Sequence, residues 1–171
     1  AIIDMVTERA EAVADELTKK GIDTLAVTAD VTQPDQVQGM IDTILGHWGR
    51  LTVGVNNAGI GLWADAEAMS EQEWNKVLDV NLNGVFLCAQ AEGRVMLEAG
   101  YGKIINTASM LSFFGGITIP AYAASKGGVA QLTKALSNEW AGRGINVNAI
   151  APGYISTEMT SALVGNPQRE P

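Results

Sequence analysis

Short apolar runs of strand character alternate with long helical segments along this 171-residue chain, and that alternation admits few folds. Strand, helix, strand, helix is the order of a parallel sheet covered on both faces, a doubly wound α/β architecture. Residues 1–3 read as the end of a strand. Val6, Ala10, Val13, Ala14 and Leu17 then recur at helical spacing, and Gly21 closes that helix by accepting the left-handed position after it. Residues 24–28 form the next strand. The clearest helix carries Val37, Met40, Ile41, Ile44, Leu45 and Trp48 on one stripe, with Pro34 in its first turn and Gly49 at its end. A strand at 51–55 precedes a long helix from about Glu71, where Ser70 and Glu73 have capping-box spacing. Its buried stripe reads Trp74, Val77, Leu78, Leu82, Val85, Phe86 and Ala89. A strand at 103–108, a helix at about 120–143 and a strand at 145–150 follow. With no repeat, low-complexity tract or linker before the C-terminal tail, residues 1–171 are expected to form a single domain.

Composition narrows the partners. Hydrophobic residues make up 47% and charged residues 18%, enough apolar content for a sizeable core. No run of 18 or more uncharged apolar residues occurs, so no membrane span is expected, and the first residues lack the basic segment of a signal peptide. A net charge of −8 repels backbone phosphates and argues against nucleic acid. One histidine, His47, with no ligand-spaced partner argues against a zinc site and reads as a solvated helix-end residue. The single cysteine, Cys88, cannot close an internal disulfide, which suits a reducing cytoplasm; it reads as a small buried apolar residue.

In parallel sheets ligands bind past the carboxyl ends of strands. That places Asp4, Asp30, Asn56 to Gly59, Ser109 and residues 151–154 at the edge where a site is expected. The sharpest pair is Tyr122 with Lys126, in YAASK, at the start of a helix. An i,i+4 spacing puts both side chains on one helical face. A neighbouring ammonium favours a phenolate, which turns tyrosine into a usable proton donor or acceptor. Taken alone, the pattern is common on helix surfaces. Asn81 falls on an apolar stripe between Leu78 and Leu82, and a buried amide demands partners. It is either a binding element or a helix-bending asparagine held by backbone. Ser109 follows a strand by one residue, with Ser112 as an alternative hydroxyl.

In order and in spacing, these segments resemble the short-chain dehydrogenase/reductase family over nearly the whole chain. Ser109 stands thirteen residues before Tyr122, which distinguishes it from Ser112. Asn56-Asn57-Ala58-Gly59, Asn81 in DVNLNGVF, Asp30-Val31, and Pro152-Gly153 followed by Thr157 match further family motifs. The resemblance implies hydride transfer between a nicotinamide cofactor and an alcohol or ketone. It gives Tyr122 the proton transfer, Ser109 the substrate oxygen, Lys126 the tyrosine and the nicotinamide ribose, and Asn81 a water-linked path to Lys126. Asp30 and Val31 would lie near the adenine ring, Asn57, Ala58 and Gly59 along the cofactor, and Pro152, Gly153 and Thr157 near the carboxamide. Asp4, with no adjacent lysine or arginine, implies NAD, with NADP less favoured. INTASMLSFFGG and NEWAGRGINVNAIAPGY look similar to sugar-acid and polyol dehydrogenases of the 2-deoxy-gluconate and gluconate 5-dehydrogenase types, with 3-oxoacyl-carrier-protein reductases as the alternative. The uncharged segment SFFGGITIP, with Trp63, Tyr154 and Met159, would line the substrate pocket.

The chain departs from the family at both ends. It has no T-G-x-x-x-G-x-G turn, and the expectation is a fragment whose sheet lacks its first and last strands. A non-catalytic Rossmann module is the competing reading. Leu132, Leu136 and Trp140 continue the Tyr122 helix as an apolar stripe, which serves either a homodimer or homotetramer contact or the subunit core.

Overall fold

The computed structural model describes residues 1–155. Five strands run parallel in two ladders. β1 (Ile2–Asp4) pairs with β2 (Ala26–Thr28), and β4 (Gly102–Thr107) lies between β3 (Val53–Asn56) and β5 (Ile145–Ile150). Asp4 sits opposite Thr28, Asn56 opposite Asn106, and Asn106 opposite Ala149, so each ladder brings its carboxyl ends to a common edge.

The helices are α1 (Thr7–Lys19), α2 (Pro34–Trp48), α3 (Glu71–Leu78), α4 (Gly84–Ala99), α5 (Leu111–Phe114) and α6 (Pro120–Trp140). α3 begins as its sequence dictates: Ser70 Oγ accepts from the Glu73 N–H at 3.2 Å, and Glu73 Oε2 accepts from the Ser70 N–H at 2.9 Å. The single helix expected from Glu71 onward is interrupted. Residues Asp79–Asn83 make a π-helical turn in which the Gly84 N–H reaches the Asp79 carbonyl, five residues back. Such turns accommodate one extra residue and often mark functional positions.

The expected doubly wound sheet lacking its first and last strands is corrected by what forms: two ladders joined through a layer of helices. Side-chain packing makes the joint. Ala29 and the α2 residues Val37, Met40 and Ile41 pack with Cys88 and Ala91 of α4, with Ile3 and Val27 at the margin. α2 therefore lies on α4 and carries β1 and β2 with it. A second cluster sets Ala89 and Met96 of α4 and Leu136 and Trp140 of α6 against Ile104, Ile145 and Val147. Helices do not cover both faces of this ladder among the described residues: Val53 and Val55, on the other face of β3, are 50% and 58% exposed.

Two stripe expectations also change. Phe86, expected inside, is 42% exposed because the π-helical turn alters the phase of α4. Leu136 and Trp140 are buried against β4 and β5, so the apolar continuation of α6 serves the subunit core rather than an interface. Among the described residues no helix is long and apolar enough to cross a membrane, and no cluster of potential metal ligands forms.

Candidate active site

α6 starts at Pro120, whose fixed φ suits a first turn, and presents Tyr122 and Lys126 one turn apart. Lys126 Nζ lies 5.7 Å from the centre of the Tyr122 ring and donates to the Thr107 carbonyl at 2.6 Å. The lysine is only 2% exposed, and burial pulls its ammonium down to about 8 from an ordinary 10.5. Its charge is therefore retained at neutral pH and lost in mild alkali.

Thr107 ends β4, and Ser109 follows it. Ser109 Oγ accepts from the Leu111 N–H at 3.1 Å, which leaves its own proton free to be donated. Ser112, the other hydroxyl nearby, is used differently. It accepts from the Ser109 N–H at 3.2 Å and donates to the Lys126 carbonyl at 2.7 Å, tying the end of β4 to α6. The Tyr122 hydroxyl makes no hydrogen bond among the described residues and stays available to a substrate.

Asn81 is fully buried in the π-helical turn. Its Oδ1 accepts from the Ile60 N–H at 2.8 Å, and its Nδ2 donates to the Ile60 carbonyl at 2.9 Å and to Ser125 Oγ at 3.1 Å. Ser125 in turn donates to the Tyr122 carbonyl at 2.8 Å. One amide thus clamps the segment after Gly59 to the tyrosine turn of α6. The buried asparagine that sequence reasoning flagged has its explanation in these bonds; Ser125, within the YAASK motif, was passed over.

The remaining expected residues spread along the same edge. Asn57 Oδ1 accepts from Thr107 Oγ1 at 3.2 Å, and Ala58 beside it is exposed. Asp30 Oδ1 accepts from both the Thr32 N–H (2.9 Å) and the Thr32 hydroxyl (2.8 Å), so it shapes the turn into α2. Val31 packs on Gly84 at the start of α4. The Pro152 carbonyl accepts from the Met110 N–H at 3.0 Å, and Gly153 lies beside Met110 Sδ. Thr157, and the pocket residue Met159, lie outside the described residues. Around the mouth, Phe113, Phe114, Ile117 and Tyr154 are exposed. Thr118, at φ 57°, holds a backbone shape rare for a β-branched residue, and its carbonyl accepts from the Ala64 N–H at 3.0 Å.

Parallel ladders with polar residues gathered at their carboxyl ends define an α/β protein of Rossmann type. Residues 1–168 match the short chain dehydrogenase family model, and the chain belongs to that family. It is 49% identical to a 2-dehydro-3-deoxy-D-gluconate 5-dehydrogenase of Pseudoalteromonas atlantica over 140 residues, 82% of this chain and 55% of the relative. It is 46% identical to a 3-oxoacyl-[acyl-carrier-protein] reductase of Staphylococcus aureus over 156 residues, 91% of this chain and 63% of that one. Among solved structures, a gluconate 5-dehydrogenase from Burkholderia cenocepacia J2315 in complex with NADP and tartrate superposes with a TM-score of 0.93 at 39% identity. That alignment covers 98% of this chain and 66% of the other. The chain thus spans between 55% and 63% of the length of these two curated relatives.

Two expectations are overturned by that superposition. The reading of a sheet that lacks its first and last strands gives way to the fold that superposes, a parallel α/β arrangement in which 98% of this chain has its counterpart. Strand counting misled here, since packing of α2 on α4 unites the ladders. The preference for NAD over NADP also falls, because the relative holds NADP. In Asp4, on which that preference rested, Oδ1 accepts from the Val6 N–H at 2.8 Å, so one of the two carboxylate oxygens is committed to the backbone that leads into α1.

Proposed function

We propose that the protein is a nicotinamide-dependent oxidoreductase that interconverts an alcohol and a ketone on a sugar acid or polyol, its residues 1–171 acting as one domain. The observation that carries this is the convergence of Ser109, Tyr122 and Lys126. A strand-end hydroxyl with a free proton, an unpaired phenol and a buried ammonium meet at one edge. The loop beside them fits a nicotinamide cofactor. A Cβ on Gly59 would stand 3.3 Å from Asn81 Oδ1 and 3.5 Å from Lys126 Nζ, so glycine keeps the space next to the amine open. Asn57, Ala58, Gly59, Lys126, Pro152 and Gly153 would hold the cofactor there, with Asp4, Asp30 and Val31 toward its adenosine end. When bound, it accepts or supplies the hydride.

The chain's own residues handle the proton. Ser109 donates to the substrate oxygen and fixes its direction. Tyr122 takes the hydroxyl proton during oxidation and returns it during reduction. Lys126, held by the Thr107 carbonyl, supplies the positive charge that favours the phenolate. Asn81 keeps the Ile60 segment and the tyrosine turn in register through Ser125. A cytoplasmic location and a homo-oligomer belong to the same reading; the exposed Phe86 on α4 offers one apolar contact to a second copy.

The sugar-acid reading is supported by similarity to the gluconate 5-dehydrogenases. The 3-oxoacyl reductase reading keeps its place because that similarity is of the same order, 46% identity over 91% of the chain, and because Phe113, Phe114 and Ile117 present apolar surface at the mouth. Nicotinamide absorbance, followed with NAD and with NADP over gluconates, keto-gluconates, polyols and acetoacetyl thioesters, separates the two. Turnover confined to the thioester excludes the sugar-acid assignment. Cofactor binding without turnover of any alcohol or ketone favours a non-catalytic module.

A further inference from the structure

Glu92 is the one carboxylate among the described residues that is almost wholly buried, at 5% exposed, and the mechanism above makes no use of it. It projects from α4 into the notch left by Gly54 on β3, where a Cβ would overlap its Oε1. Asn56 Nδ2 donates to Glu92 Oε2 at 3.1 Å and to Asn106 Oδ1 at 3.0 Å. Asn106 Nδ2 donates to Thr133 Oγ1 at 3.0 Å, and that hydroxyl donates to the Val129 carbonyl at 2.8 Å. An unbroken polar chain therefore runs from α4 through β3 and β4 to α6.

Each link sits one residue or one turn from the site. Asn56 leads directly into Asn57, Ala58 and Gly59. Asn106 precedes Thr107, whose carbonyl holds Lys126 Nζ. Val129 lies three residues beyond Lys126 on the same helix. We infer that Glu92 is a positioning residue: through Asn56 and Asn106 it sets the cofactor-side loop after β3 relative to the Thr107 carbonyl that holds Lys126. The inference rests on the oxidoreductase reading.

This anchor changes strength with pH. Burial pushes the Glu92 carboxyl up to about 7, and the Asn56 bond draws it only partly back. Once ionised, it accepts from Asn56 as a charge-assisted partner, the stronger form of that bond. Among the described residues no cation pairs with it. From β3 it meets the Asn56 amide, behind which stand the Asn106 amide on β4 and the Thr133 hydroxyl on α6, and α2 presents to α4 the apolar Val37, Met40 and Ile41. Cys88, one turn earlier on α4, is the titratable neighbour, and its thiol is pushed up to about 12 by burial and then by Glu92 itself. It stays neutral throughout the range that matters.

The test is the dissociation constant of NADP and of NAD for the intact protein from pH 5.5 to 8.5, for wild type, Glu92→Gln and Glu92→Ala, with melting temperature recorded alongside. Wild-type affinity is expected to tighten by about fivefold as pH rises through a midpoint near 7, the ratio that a bond strengthened by about 1 kcal/mol gives. Glu92→Gln, which keeps an acceptor for Asn56 and cannot ionise, is expected to lose that limb while keeping the one that Lys126 contributes near 8. Glu92→Ala is expected to bind more weakly than Glu92→Gln at every pH. Coincident profiles for wild type and Glu92→Gln overturn the positioning role and leave the oxidoreductase reading intact. Failure of the wild type to bind either cofactor at any pH overturns that reading, and the positioning role with it.

Discussion

The two ladders are built to different standards. β1 and β2 have three residues each, and α1 beside them buries only Ala10 and Ala14. β4 and β5 have six each and lie under α4 and α6 with large side chains fully enclosed, among them Met96, Ile104 and Ile145. The polar content follows the same division. Thr7 and Thr28 share an exposed hydroxyl contact in the first ladder, whereas Asn56, Asn106, Glu92 and Thr133 are buried and joined by hydrogen bonds in the second. Chemistry that needs side chains held within a fraction of an ångström belongs on the second kind of scaffold; recognition of a cofactor's distal end tolerates the first.

Four measurements would break or sharpen that contrast. The largest effect is expected from Tyr122→Phe, which should lower kcat by about 10²–10⁴-fold, the usual worth of a positioned acid or base, with melting temperature unchanged. A loss of stability instead would mean that the phenol serves packing. Trp140→Ala, in the thick ladder, should cost about 3–5 kcal/mol by denaturant unfolding; a loss under about 1 kcal/mol would erase the distinction between the halves. Glu92 predicts a dependence on pH. An unfolded carboxyl titrates near 4.5 and the folded one near 7, so between them the unfolded chain has released a proton that the folded chain keeps. Stability therefore falls as pH rises through that window and levels off above it. Glu92→Gln should remove the fall, and an identical slope in the variant would contradict the burial argument. The smallest effect is expected from Asp4→Ala in the thin ladder, which removes one exposed bond to the Val6 N–H and should cost less than about 1 kcal/mol.

Much of the site could be read from local spacing, and what could not depends on contacts far apart in sequence. Tyr122 and Lys126 announce themselves because four residues on a helix suffice to bring them together. Asn81 was visible as an amide on an apolar stripe, but its partners Ile60 and Ser125 are 21 and 44 residues away. Glu92 carried a signal that went unused: it lies four residues after Cys88 and four before Met96, on their buried stripe. The cofactor preference misled because sequence shows a carboxylate at Asp4 but not that the Val6 N–H takes one of its two oxygens. Leu136 and Trp140 suited a core or an interface equally until Ile104 and Ile145 were seen beneath them.

The turn at Asp79–Asn83 makes the number of residues between α3 and α4 matter as much as their identity. A helix advances about 100° per residue, and the wide turn absorbs the extra position, so deleting one residue there would leave an ordinary α-helix with its flanks still in register. Gly84 would keep its place against Val31, but Asn81 would be drawn from Ile60 and Ser125 and the tyrosine turn would be unclamped. A deletion in the regular turns on either side has no such slack and would swing one flank against the other. Lengthening the exposed stretch at 65–68 has no such reach. Variation in chain length should accumulate there and be absent from the turn.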